Sequence, residues 1–462
     1  MTPRPLTLGD GLTRDYLLHH RVCPIDFTES GAVRVSAAPD ALLDDALDDL
    51  RFVYGAEVIV EPASLGDVER AIERLTTRAG RDIELARVDH DDERTADVRD
   101  LATQPPVVRF VNLLVRDAYD AGASDIHLES ARSGLNARFR LDGVLAPAPE
   151  PPAELAHAVV SRIKLLAELD IAERRRPQDG RIRVRLEDRE LDLRVSTVPT
   201  LFGESVVLRL LDRGGRPVAL EELGMPAGIL ASVSRLAARP HGMILVTGPT
   251  GSGKTTTLYS ALQRRDTKAE KIITVEDPVE YELPGITQVP VHRQAGVTFA
   301  TALRSILRQD PDVVMLGEMR DPETAEVAVQ AAMTGHVVFS TLHTNDAVSA
   351  IPRLVDLGVP PYLIAATLDG VLAQRLVRKI CDTCRGEHCP ACRHTGYRGR
   401  LGLFELFRVD DEAKRAIVAG ASRADLTALA RANGMRTLAQ DGEEKVAAGA
   451  TTMAEVMRAA DS

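Results

Sequence analysis

Tryptophan is absent from this chain of 462 residues, and aromatic residues make up only 3% of it. A platform that stacks the bases of single-stranded nucleic acid needs more aromatic faces than that. Lysine is nearly as scarce, with 7 against 50 arginines. Acids outnumber bases, the formal net charge is −11 and the sequence pI is near 5.6. The chain therefore lacks the basic footprint of a protein that coats nucleic acid. No uninterrupted apolar stretch approaches the ~18 residues of a membrane span. The opening MTPRPLTLGDG has none of the apolar core of a signal peptide. Cysteines number five, and four of them crowd into residues 381–392, leaving Cys23 alone. That is no distributed disulfide framework, and it points to a reducing, cytoplasmic protein whose contact with a membrane comes through a partner or a surface. Cys23 reads as a small buried hydrophobe. What is present is ordinary globular material, 44% hydrophobic and 27% charged, enough for about three domains at roughly 150 residues each.

The first hundred residues alternate short apolar patterns with turns. Leu42 to Leu50 and Asp67 to Arg78 have helical periodicity, and AEVIVEP between them reads as a strand. The charged stretch from Val88 to Pro106 ends in two prolines and has the composition of a linker. A helix closed by Gly122 follows from Val107. After it come alternating strands in NARFRLDGVL, RIRVRLEDRELDLRVS and ESVVLRLLD, with a helix over SRIKLLAELD. From about residue 213 the pattern changes. GMILVTG, KIITVED, DVVMLGE and HVVFSTL are continuous apolar runs of the kind buried on both faces of a parallel sheet. The tail from Asp410 is helical.

GPTGSGKT, Gly248 to Thr255, fits G-x-x-x-x-G-K-[ST] at every fixed position, after a strand-like run and before a helix-like one. Such a loop turns its main-chain N–H groups onto phosphate oxygens at a helix N-terminus. The candidate nucleotide-binding residues are Gly248, Pro249, Thr250, Gly251, Ser252, Gly253, Lys254, Thr255 and Thr256, with Lys254 reaching the β- and γ-phosphates of a nucleoside triphosphate and Thr255 a ligand for Mg²⁺. Glu318 ends the strand-like DVVMLGE, where an acid can polarise the attacking water or hold the metal. Glu276, Asp277 and Glu280 end a second such strand, either as functional acids or as an ordinary turn before a proline. His336 and His343 bracket a third, as γ-phosphate sensors or as packing groups. In CDTCRGEHCPAC, Cys381, Cys384, Cys389 and Cys392 form two C-x-x-C pairs that can close a tetrahedral, structural Zn²⁺ site. A redox role for such pairs needs a thioredoxin-like context, which is missing.

Taken together, GPTGSGKT, ITVEDPVEY, DVVMLGEMRD and TGHVVFSTLHTN resemble the Walker A motif, aspartate box, atypical Walker B motif and histidine box of the secretion ATPase superfamily. Within it they resemble the type II secretion assembly ATPases, the general secretory pathway E family. FVNLLVRDAYDAGASDIHLE and RVSTVPTLFGESVVLRLLD add further likeness. The resemblance implies an α/β fold: a RecA-like P-loop ATPase domain with a mostly parallel sheet. Before it stand a small N-terminal α+β domain and an α+β, PAS-like second domain, and a tetracysteine zinc knuckle lies towards the C-terminus. The corresponding boundaries are 1–87 for an N-terminal docking domain, 88–106 for the linker, 107–212 for the second domain and 213–462 for the ATPase domain, with the knuckle at 381–392 and a helical tail. The spacer between the two cysteine pairs is four residues, where the family usually has a much longer loop.

The resemblance further implies a homohexamer in which Arg194 and Arg209 approach the nucleotide from the second domain, although by their pattern alone they suit an ordinary polar strand face. Arg320 is a further candidate for coupling nucleotide to domain position. The implied partners are the cytoplasmic domain of an inner-membrane secretion protein, docked by the N-terminal domain, and an inner-membrane platform protein. The implied location is cytoplasmic and peripheral at the inner membrane. The implied activity is Mg²⁺-dependent ATP hydrolysis that drives pseudopilus assembly. A type IV pilus extension ATPase is the alternative, followed by a nucleic-acid motor and a scaffold that binds ATP without turnover. Residues 1–100 hold 12 arginines, no lysine and 22 acids, hence −10 of the chain's −11. That acidity marks the docking segment for a basic protein patch, or is simply a solvated face.

Overall fold

The computed structural model describes residues 14–28, 31–39, 41, 43–54, 56–79, 84–85, 103–186, 189–212 and 218–460. Much of the expected linker, residues 88–102, lies outside the described residues, and a helix already begins at Pro105. The chain divides into two compact units, Met1–Asp117 with Glu129–Leu135 and Glu150–Val206, and Ala118–Leu128 with Asn136–Pro149 and Val207–Ser462.

In the first unit, β1 (Val22–Phe27), β2 (Val33–Ala37) and β3 (Val58–Pro62) form a small sheet, antiparallel then parallel. Helices Leu43–Tyr54 and Leu65–Ala79 supply Leu50, Val68 and Ile72 to the core beneath it, where Leu17, Val33 and Val35 are fully buried. Cys23 belongs to this core, and burial pushes its thiol up to about 12, so it is an inert packing group. β4 (Glu84–Leu85) pairs with β8 (Gln178–Leu186), and β8 pairs with β9 (Arg189–Thr200). The helix read over SRIKLLAELD starts earlier, at Ala156, and stops at Leu166. Beyond it Glu168 has φ +57°, and the Asp170 carboxylate accepts from the Ala172 and Glu173 amides, a local turn that ends the helix. Lys164 is fully buried and bridges Glu204 at 2.8 Å and the Glu173 carbonyl at 2.6 Å.

The second unit contains the β6 (Gly134–Leu141) and β7 (Val144–Pro147) hairpin residues from Asn136 on, and, from residue 207, part of β10 (Gly203–Asp212). Its centre is a seven-stranded sheet in the order β13-β12-β14-β15-β11-β16-β17. β11 is Gly242–Thr247, β12 Ile272–Glu276, β13 Thr287–Pro290, β14 Val313–Leu316, β15 Val337–Leu342, β16 Leu368–Ile380 and β17 Tyr397–Arg408. All neighbours run parallel except β16 and β17. The four apolar runs of the sequence are β11, β12, β14 and β15, and every one of their residues is buried. Because side chains alternate across the pleat, Leu245, Val275, Val314 and Val338 enter one apolar layer. Ile244, Ile272, Met315 and Phe339 enter the layer on the other face. The β16–β17 hairpin has no counterpart in the sequence reading, because Gln374 and Arg375 interrupt its apolar run. Four helices between Asp411 and Ala460 complete the tail, three of them capped by Asp410, Ser422 and Thr437.

Candidate functional site

Parallel strands end together, so the loops leaving β11, β12, β14 and β15 meet at one edge of the sheet. The loop after β11 is the glycine loop. Gly248 and Gly253 have φ +150° and +84°. A Cβ on Gly248 would stand 2.4 Å from the Gln374 carbonyl oxygen and 2.6 Å from the Ser252 hydroxyl, so only glycine fits there. Gly253 then caps the helix Lys254–Leu262, whose first turn carries Lys254, Thr255 and Thr256. Ser252 is buried, and its hydroxyl has no hydrogen-bond partner. Pro249, Thr250 and Gly251 form the remaining rim of the loop.

Lys254 is 9% exposed and donates to the carbonyls of Gly248 at 2.8 Å and Pro249 at 2.9 Å. Burial, reinforced by the charges of Arg375 and Arg320, pulls its ammonium down to about 8 against the attraction of Glu318. Glu318 leaves the end of β14 and is largely buried. Its Oε2 lies 2.5 Å from Arg320 Nε and 3.3 Å from His343 Nε2. Burial and the Lys254 charge hold His343 below the usual imidazole range despite Glu318, a shift that favours the neutral ring. Thr247 at the end of β11 accepts from the Thr344 amide at 2.9 Å and fixes the turn that follows His343. Lys254, Glu318, Arg320 and His343 thus form one cluster beside the glycine loop.

The other acids divide. Glu276 points inward, where its carboxylate accepts from Tyr259 Oη and, at 2.5 Å, from Thr274 Oγ1. Burial raises its pKa in spite of those bonds. Asp277 and Glu280 are exposed, with Asp277 at 3.2 Å from Arg293 and the Glu280 amide at 3.4 Å from the Tyr259 hydroxyl. His336 does not join the cluster. It precedes β15 at the opposite edge of the sheet, roughly 20 Å away along six residues of strand, and its Nδ1 bonds the Ala331 carbonyl at 3.0 Å. Arg209 on β10 is exposed and donates to the buried Asp125 at 2.9 Å. Arg194 on β9 is half-buried and registers opposite Arg181. Residues that no sequence motif marks are Gln374 and Arg375, which stand against Gly248 and Gly253, and Tyr259, which bonds Glu276. The signal for Arg375 in the sequence is a charged residue interrupting the apolar run VLAQRLV.

Four sulfurs gather where β16 and β17 join. Cys381, Cys384, Cys389 and Cys392 Sγ atoms lie within 4.8 Å of one another, with pairs at 3.7, 3.8 and 3.9 Å. Four thiolates on a tetrahedral zinc with ~2.3 Å bonds stand about 3.8 Å apart, so the set fits the ion. Arg385 and Arg393, each following the second cysteine of a pair, both have φ +50°, and the Gly396 amide donates to Cys392 Sγ at 3.3 Å. His388 and His394 bond each other's carbonyls through Nδ1 at 2.7 and 2.8 Å, which ties the short spacer without adding a ligand.

The depressed Lys254 has a measurable consequence. Between its folded value near 8 and its unfolded value near 10.5 the unfolded chain binds the extra proton, so stability contributed through Lys254 rises with pH in that window. The difference in unfolding free energy between the native protein and Lys254→Met, measured by denaturant titration without nucleotide, is expected to be flat below pH 7 and to climb from about pH 8. A flat difference throughout contradicts the buried, cation-crowded setting.

Comparison with known proteins agrees with this geometry. Residues 100–458 match the family described as "Type II/IV secretion system protein", and residues 2–82 match the MshEN domain. The type II secretion system protein HxcR of Pseudomonas aeruginosa is 50% identical over 430 residues, 91% of this chain and 89% of the relative. The type IV pilus assembly ATPase PilB of Myxococcus xanthus is 42% identical over 478 residues, 95% of this chain and 84% of the relative. The crystal structure of the pilus retraction motor PilT with bound ADP superposes with a TM-score of 0.54 at 31% identity, covering 75% of this chain and 95% of that one. A P-loop, an acid and a histidine at one sheet edge, on this fold and with this likeness over nearly the full length, make the chain a member of the Type II/IV secretion system protein family.

Proposed function

We propose that this protein is an ATP-hydrolysing motor that drives pseudopilus assembly, and with it protein export, in a type II secretion system. The convergence of the glycine loop, Lys254 and Glu318 at one sheet edge carries this reading. In it, the N–H groups of Gly248 and of Thr250 to Gly253 bind the phosphates of ATP, and Lys254 exchanges its two carbonyl partners for β- and γ-phosphate oxygens. Thr255, with Thr256 beside it, and the Glu318 carboxylate are oxygen donors of the kind Mg²⁺ prefers, and that ion supplies charge neutralisation when bound. Glu318 orients and polarises the attacking water, and neutral His343 donates a hydrogen bond at the γ-phosphate side. Arg320 restrains Glu318 until the phosphates compete for its guanidinium. Asp277 and Glu280 line the same edge as secondary acids. Glu276 is a positioning residue for Tyr259, and we assign His336 no part in the chemistry of its own chain.

The exposed Arg209 guanidinium and Arg194 suit a second role, completing the γ-phosphate site of a neighbouring copy in a homohexamer. Cys381, Cys384, Cys389 and Cys392 would hold Zn²⁺ as a closed structural site without a catalytic position. Among the described residues no helix is long and apolar enough to cross a membrane. We place the protein in the cytoplasm, peripheral to the inner membrane. Its acidic N-terminal segment docks there on the cytoplasmic domain of an inner-membrane secretion protein, and the ring acts on a platform protein. The likeness to the Myxococcus PilB supports a second reading, assembly of a type IV pilus by the same chemistry. The acidic balance argues against a nucleic-acid motor.

The purified chain is expected to hydrolyse ATP. Glu318→Gln should bind ATP yet turn it over about 10²-fold more slowly, and Lys254→Ala should lose binding itself. Equal turnover by all three proteins refutes the enzyme reading. Metal analysis of Cys381→Ser should show the loss of the chain's zinc and a lower melting temperature. Unchanged zinc content excludes the tetracysteine site.

A further inference from the structure

Arg375 lies on β16 and is 3% exposed. β11 ends at Thr247, which registers with Ala373, so residues 374 and 375 of β16 continue alongside the glycine loop. Gln374 takes one side of that loop. Its Oε1 accepts from Thr257 Oγ1 at 2.6 Å, and its Nε2 stands 2.9 Å from where a Gly253 Cβ would be. Arg375 takes the other, with Nη1 at 3.2 Å from the corresponding position on Gly248. The hydrogen bonds of its guanidinium go to main-chain carbonyls, Nη2 to Asn345 at 3.0 Å and Nη1 to Gln374 at 3.3 Å, and Nε has no partner.

A buried guanidinium is normally matched by a carboxylate. The acids whose fields reach Arg375 are Glu405 and Asp346, and both are committed elsewhere. Glu405 accepts from the amides of Ala347 and Leu438, and Asp346 accepts from Ser349 and Arg423. The neighbouring Lys254 is a second buried cation, and Glu318, the acid of that cluster, is held by Arg320. Burial accordingly draws Arg375 below the ordinary guanidinium value. The loop therefore carries surplus buried positive charge on two sides, and the Ser252 hydroxyl beside Gly248 is also unsatisfied.

We propose that Arg375 is a buried counter-charge for the phosphates of a bound nucleoside triphosphate, a positioning residue that acts from β16 through the glycine loop and the Asn345 carbonyl. This rests on the ATP-binding reading. In the nucleotide-free protein the cation is a liability, and the bound polyanion relieves it. The loss on removing the charge should thus grow with the charge of the ligand, which a purely structural brace would not produce.

The test uses the full chain, with calorimetric titration of ATP's non-hydrolysable imido analogue and of ADP, and with thermal melts without nucleotide. Arg375→Met should melt at or above the native temperature, should bind the triphosphate about tenfold more weakly, and should lose less affinity for ADP. Arg375→Lys, which keeps the charge, should stay within about threefold of native affinity. The inference is overturned if Arg375→Met lowers the nucleotide-free melting temperature by several degrees while binding the triphosphate normally. It is equally overturned if Lys fares no better than Met. Absence of binding by the native chain defeats the ATP reading itself, whereas native binding shared equally by Arg375→Met defeats this inference alone.

Discussion

Burying a charge within a sheet covered on both faces costs free energy, and the seven-stranded unit of this protein is organised by that cost. β11, β12, β14 and β15 are buried throughout, so ionisable groups collect where the strands end. Parallel pairing puts those ends at one edge. Lys254, Glu318 and His343 come from separate stretches of chain and meet because their strands register side by side. The two apolar layers that clamp the sheet hold the edge in place, and the loop glycines let main chain approach where side chains would collide.

The edge is electrostatically unbalanced without a ligand. Lys254 rests on two carbonyls of its own loop, Arg375 on two others, and the nearby carboxylate of Glu318 is shared between Arg320 and His343. Such a surface is prepared for a compact polyanion, and the buried setting makes each charge count for more than it would in water. The same strand that carries Arg375 runs on to Cys381, so one β-hairpin borders the loop and holds the cysteine cluster.

Much of this was legible in the sequence because it is local. The glycine loop is a contiguous motif, the four apolar runs are continuous, and the C-x-x-C pairs announce their own geometry. What was hidden depends on the third dimension. His336 and His343 are seven positions apart and look equivalent, but an extended strand between them sends them to opposite edges. Glu276 and Asp277 are adjacent, yet the pleat turns one towards Tyr259 and the other towards solvent. The β16–β17 hairpin escaped notice because Gln374 and Arg375 break its apolar run, and those two residues are what fit it to the loop. Arg209 was legible as an exposed strand residue, but its anchor, Asp125, is 84 positions away.

The proposed motor requires arginines of a neighbouring copy to complete each nucleotide site. Mixing two inactive chains tests it directly, one Lys254→Ala, lacking its own phosphate site, and one Arg209→Ala, lacking the arginine it lends. With a site shared between copies, the mixture hydrolyses ATP although neither chain does alone, because an intact loop meets an intact arginine at some interfaces. If the mixture stays as inactive as its components while both still assemble, the site is not shared between chains.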